Sequence, residues 1–225
     1  MPVKVWDLPL RLFHWLLVIC VIGALVTIKL GGTWMIWHGR FGLAIIGLLS
    51  FRLVWGIAGS THARFVSFFP TPRRVIRYLR GQWQGLGHNP LGALSVFALI
   101  GLFGFQALSG LVATDDIAFS GPLTRAVSSD FSSLMSGWHR RTEELLYLLV
   151  GLHVLAIVIY RVRGHNLLGP MIHGYKKAPH PAAEHANGGR WPALIIALAL
   201  AGLAVWAANG SWIPAPAPAP AVPAW

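Results

Sequence analysis

Five stretches of this chain stay apolar long enough to cross a bilayer, at about residues 12–30, 36–58, 92–113, 138–160 and 191–208. A hydrocarbon core needs roughly 20 consecutive apolar residues per helical crossing. No water reaches those depths to satisfy the backbone, so each stretch is predicted to be a helix. A transmembrane barrel would instead alternate apolar and polar positions in segments of about 10 residues, and the sequence holds no such segments. The expected fold is an all-α membrane protein, a four-transmembrane-helix bundle plus a fifth C-terminal transmembrane helix. The first apolar stretch runs from Leu12 to about Ile28 with no small-residue cleavage site after it. It reads as a retained helix rather than a signal peptide.

The polar stretches between the spans differ in character. Residues 59–91 are basic, and Arg73-Arg74-Val-Ile-Arg77-Tyr-Leu-Arg80 alternates cationic and apolar positions. That pattern suits a short helix lying on the membrane surface. Residues 114–137 are polar, Ser-rich and mildly acidic, enough to cover one end of the bundle or to touch a partner. The expected organisation is a bundle over 1–177, an inner linker over 178–190, a fifth transmembrane helix over 191–209 and a Pro-Ala tail over 210–225. The fifth span carries no ionisable residue and reads as a lipid-facing anchor set apart from the other four. The tail suits extended polyproline II.

Composition agrees with lipid as the main solvent. The chain has 225 residues, 55% of them hydrophobic and 11% charged, where soluble proteins average about 25% charged. Mean hydropathy is +0.60. A net charge of +11 invites a nucleic-acid reading, but its distribution argues against one. The N-terminus, the 59–91 loop, the 161–190 loop and the adjoining span ends hold thirteen cations against Asp7 and Glu184, the whole +11. On the other side five cations meet five acids and cancel. Positive-inside bias then puts the N-terminus in the cytoplasm, with the basic side against anionic lipid headgroups. The protein is expected to be multi-pass, in the bacterial cell inner membrane. Trp34, Trp37, Trp138, Trp191 and Trp212 sit at span ends as interfacial anchors.

Histidines carry the candidate chemistry. Ionisable groups are costly inside a bilayer and usually functional there. His14 opens the first span, His38 the second and His139 the fourth, and His153 lies fourteen residues beyond His139. Fourteen residues is nearly four turns, so His139 and His153 share a helix face about 21 Å apart. Depth alone then pairs His14 with His153 near the inside and His38 with His139 near the outside. Two such pairs are what two bis-histidine haems need in a helical bundle, the iron being bound by imidazole alone. The one cysteine, Cys20, is mid-span, and there is no Cys-x-x-Cys-His motif, so any haem is non-covalent haem b. Gly39, Gly42, Gly101, Gly104, Gly110 and Gly151 would admit flat macrocycles, or serve close helix packing. Arg11 and Arg52 near the inner pair, with Arg40, Arg140 and Arg141 near the outer, are candidates for the propionates; Arg52 can alternatively snorkel. His62 and His88 are poorer ligand candidates in the inner loop, and His165, His173, His180 and His185 read as solvated loop histidines.

With those residues in view, the chain resembles the prokaryotic cytochrome b561 family, which includes the cytochrome b subunits of nickel–iron hydrogenases. The resemblance covers about residues 3–177. It rests on Val-Trp6-Asp-Leu-Pro9-Leu-Arg11-Leu-Phe-His14-Trp15, Trp37-His38-x-x-x-Gly42, Phe51-Arg52-Leu-Val-Trp55-Gly56, Gly59-Ser-x-His-Ala-Arg64-Phe65, Gly87-His88-Asn89-Pro90-Leu91-Gly92 and the helix bearing His139 and His153. It implies a di-haem b cytochrome of a respiratory chain, passing electrons between quinone or quinol and a redox partner such as a hydrogenase or cytochrome c. A superoxide- or small-oxidant-linked quinone oxidoreductase is the alternative within the family. A non-haem histidine-based metal transporter is the alternative from another class, and it would gather histidines and carboxylates at one midplane site. For a quinone, Arg77, Tyr78 and His88 lie near the inner side, Thr114 and Asp115 near the outer. Asp115, Asp116 and Asp130 can dock a basic partner or simply be solvated.

Overall fold

The computed structural model describes residues 1–214 apart from Gln84, Ala118 and 178–184. His180, Glu184, the first half of the expected linker and residues 215–225 of the Pro-Ala tail therefore lie outside the described residues. Five helices are long and apolar enough to cross a membrane: α1 (Leu8–Leu30), α2 (Met35–Ala58), α5 (Pro90–Val112), α6 (Ser129–Val162) and α8 (Trp191–Ala208). The short helices α3 (Phe65–Phe68), α4 (Pro72–Leu79) and α7 (Leu168–His173) lie between them.

Three of the five long helices, α1, α5 and α6, start where the sequence supplies a side-chain cap. The Asp7 carboxylate accepts from the Leu10 amide at 2.7 Å, with Pro9 in the first turn, where its missing N–H costs nothing. Asn89 caps α5 in the same way, ahead of Pro90. Ser128 caps α6, whose start precedes the expected one by nine residues. Its first turns are polar, so hydropathy alone misses them. They are helical because Ser132 donates to the Val112 carbonyl at 2.7 Å and Ser136 accepts from the Thr114 amide at 2.9 Å. His139 thus lies three turns into α6 rather than at its opening, and the helix extends past the membrane at about 50 Å long.

One end of the bundle collects the N-terminus, the 59–89 loop and the segment after α6. Strand β1 (Pro2–Lys4) pairs antiparallel with β2 (Tyr175–Lys177), and Ser60 bridges to Gly188. We call this the basic end. At the far end, residues 113–128 fold back on themselves through the Thr114–Ser120 bridge and the Leu123 amide donating to Leu111.

α1 packs on α2 and α5 on α6, with α2 also touching α5. Across the remaining seam, Lys29 of α1 pairs with Glu143 of α6 at 2.8 Å, the one ion pair among the described residues. Helix α6 buries little of itself, chiefly Ser132, Ser136 and Leu146. α8 does not stand apart as the sequence suggested. It lies along α2, where a Cβ on Gly47 would come within 2.7 Å of the Val205 side chain. Small residues at such contacts let helices approach closely in lipid.

Candidate functional site

At the far end, His38 in the first turns of α2 faces His139 of α6, with ring centres 6.2 Å apart and planes at 88°. Hydrogen bonds define both tautomers. His38 Nδ1 lies 2.9 Å from the Ala24 carbonyl of α1, which can only accept, so Nδ1 carries the proton. His139 Nδ1 lies 3.1 Å from the Ser109 hydroxyl, and that hydroxyl gives its own proton to the Gln106 carbonyl at 3.2 Å. With that proton on the carbonyl, Ser109 accepts from the His139 Nδ1–H, the arrangement that leaves Nε2 free. Each ring keeps a bare Nε2, the form of imidazole that binds a metal. Both histidines line one cavity, beside Gly42, Gln106 and Arg140. Gly42 opens onto free space, whereas a Cβ on Gly110 would reach 3.1 Å from the His139 ring. Asp115 and Phe119 from the 113–128 loop close the far side.

At the basic end stand His14, in the second turn of α1, and His153, toward the C-terminal end of α6. His153 Nδ1 lies 3.4 Å from the Ser95 hydroxyl of α5. His14 stands edge-on to Trp15, and its Nδ1 is buried without a hydrogen-bond partner. His88 lies close to this pair, its ring 4.6 Å from Trp6 and 4.4 Å from Phe68. Its Nδ1 is also buried and unpartnered. Burial first, then the Arg52 charge and those of His62, His14 and His153, pushes its pKa down to about 3, so the ring is neutral.

The arginines are placed unequally. Arg52 does not snorkel. It is 2% exposed, donates to the Ala63 carbonyl at 3.0 Å and stacks 4.4 Å over Phe65. Arg11 donates to the Ile172 carbonyl and keeps a buried, unpartnered Nε. Arg140 lines the far-end cavity, whereas Arg40 and Arg141 lie over Trp37 and Trp138. Of the expected quinone neighbours, Tyr78 is tied to Tyr160, which also accepts from Asn89 at 3.0 Å. Arg77 lines a separate surface hollow with Arg74 and Trp83. Asp115 accepts from the Ile117 and Phe119 amides, so its carboxylate shapes the loop. His173 and His185 accept from the amides of Tyr175 and Lys4 and are structural loop residues.

Sequence reasoning overlooked Ser95, Gln106 and Ser109, and it undervalued His88. The missed signal was the polar residues inside the otherwise apolar α5. A serine or glutamine at that depth needs a partner, but the partner's identity depends on which helix lies alongside.

Paired imidazoles between the helices of a multi-pass α-bundle suit a haem held without covalent attachment. The chain belongs to the prokaryotic cytochrome b561 family, whose model matches residues 5–174, from just after β1 to just past α7. It is a membrane b-type cytochrome that binds haem b and takes part in electron transfer. No curated protein and no solved structure matches the chain.

Proposed function

We propose that the chain holds two haems b and carries electrons across the bacterial inner membrane between the quinone pool and a redox partner, its N-terminus in the cytoplasm. The observation that carries this reading is the His38–His139 geometry. The two ring centres lie 6.2 Å apart, a spacing at which both imidazoles would hold one metal through the Nε2 atoms left free by the hydrogen bonds at Nδ1. The unpartnered His14 and the serine-bonded His153 form the second donor pair.

Bound haem b supplies a one-electron iron couple at each pair. The chain's own residues bind and orient it. His38 and His139 hold the far-end group, and His14 and His153 the basic-end group. Arg140 in the far-end cavity and the free Arg11 Nε at the basic end receive the propionates. The apolar walls contributed by Ile28, Leu43 and Ala107 keep water from the ligands. Glycines across the bundle leave room where side chains would intrude.

A pyridine haemochrome assay on the purified chain should give two haems b per polypeptide; one or none overturns the reading. His38→Ala and His139→Ala should lose the same low-spin EPR signal, and His14→Ala and His153→Ala the other. The quinone link is tested by stopped-flow mixing of reduced protein with a soluble quinone analogue. The intact protein should be oxidised faster than either His14→Ala or His38→Ala, and equal rates would sink that part.

A further inference from the structure

The two histidines of α6 lie fourteen residues apart, and so do the two serines of α5 that meet them. α5 and α6 run antiparallel, so Ser109 meets His139 at the far end and Ser95 meets His153 at the basic end. Fourteen residues is nearly four turns, which puts each serine pair and each histidine pair on one helix face. α5 carries no histidine of its own. Both of its serines meet a histidine of its neighbour.

We propose that Ser95 and Ser109 are positioning residues for the α6 ligands, and that unequal hydrogen bonding at the two pairs gives the far-end haem the lower midpoint potential. The proposal rests on the two-haem reading. A histidine that donates its Nδ1 proton is held in one tautomer and becomes a more basic ligand. A more basic ligand favours ferric over ferrous iron and lowers the potential. At the far end both ligands are supported, His38 by a carbonyl at 2.9 Å and His139 by a hydroxyl at 3.1 Å. At the basic end His153 has one longer contact of 3.4 Å, and His14 Nδ1 has none. Ser109 is buried, and its hydroxyl lies between the Gln106 carbonyl at 3.2 Å and His139 Nδ1 at 3.1 Å, able to donate to the first and accept from the second. Serine-to-alanine changes remove these acceptors while hardly altering volume.

The test is an EPR-monitored redox titration of the full chain in detergent, with haem content measured beside it. The wild type should show two waves, and His38→Ala should abolish the lower one. Ser109→Ala should shift that lower wave upward, Ser95→Ala should shift the upper wave by less, and Ser109→Thr should match the wild type. Loss of the far-end haem in Ser109→Ala with full retention in Ser109→Thr also supports the assignment. Unmoved potentials in Ser109→Ala, a shift confined to the other wave, or a threonine variant as altered as the alanine one overturns it. So does His38→Ala abolishing the upper wave. A wild type carrying fewer than two haems fails separately, because it removes the reading beneath.

Discussion

Arg52 and Asp7 hold the basic end of the bundle together around Trp55. The Asp7 carboxylate caps α1 and accepts from the Trp55 indole at 3.0 Å, while Arg52, one turn earlier on α2, holds the Ala63 carbonyl. Arg52→Leu would strand that carbonyl in a buried place, at a cost on the order of 1–3 kcal/mol. Arg52→Lys should recover little, since an ammonium lacks the planar fork that stacks on Phe65. Thermal unfolding followed by circular dichroism would show both. His88 adds a pH dependence. Its pKa falls from 6.5 to about 3 in the fold, so between those values the unfolded chain binds the extra proton. Stability is therefore present above about pH 6.5 and is lost as pH falls toward 3. Burial lowers the pKa of His62 in the same direction. His88→Phe should flatten the acid limb of a midpoint-against-pH curve without abolishing it. An unchanged limb would mean that His88 is not the group responsible.

Among the elements, α2 is the central one. It packs against α1, α5 and α8, and its buried face runs from Ile45 to Gly56. Gly47 marks the α8 contact, because any Cβ there must displace Val205. Gly47→Leu should unseat α8 and lower the unfolding midpoint, yet leave the haem content unchanged, because no proposed ligand lies on α8. Loss of haem in that variant would show that α8 helps to hold the bundle open. α6 makes the complementary point. Its length comes from the polar turns at 129–137, which tie to α5 and to the loop between them. Those turns bring His139 to the depth of His38.

For the whole molecule, the placement of charge becomes a statement about orientation. Strand pairing and the Ser60–Gly188 bridge gather the N-terminus and both basic loops at one end. Gly210 after α8 lies against Pro122 at the other. A topology reporter at residue 80 should read as cytoplasmic, and reporters at 125 and 210 as external. The reverse pattern would overturn the orientation alone, whereas 80 and 125 on the same side would contradict the bundle.

Hydropathy was enough to count the spans, and charge to group the loops, because lipid permits so few backbone solutions. The i, i+14 spacing of His139 and His153 was legible because helical period is a local property. What the sequence could not reveal was everything that depends on which helix lies beside which. The polar start of α6, the seating of α8 on Gly47 and the enclosure of His88 by Trp6 and Phe68 belong to that group. So does the match of Ser95 and Ser109 to the two histidines. Each is a contact between residues 20 to 160 positions apart, and local pattern has no term for such contacts. Sequence determined the helices and their histidine-bearing faces; tertiary packing alone decided which nitrogen of His38 and of His139 stays free, since each Nδ1 donates to an acceptor on a neighbouring helix.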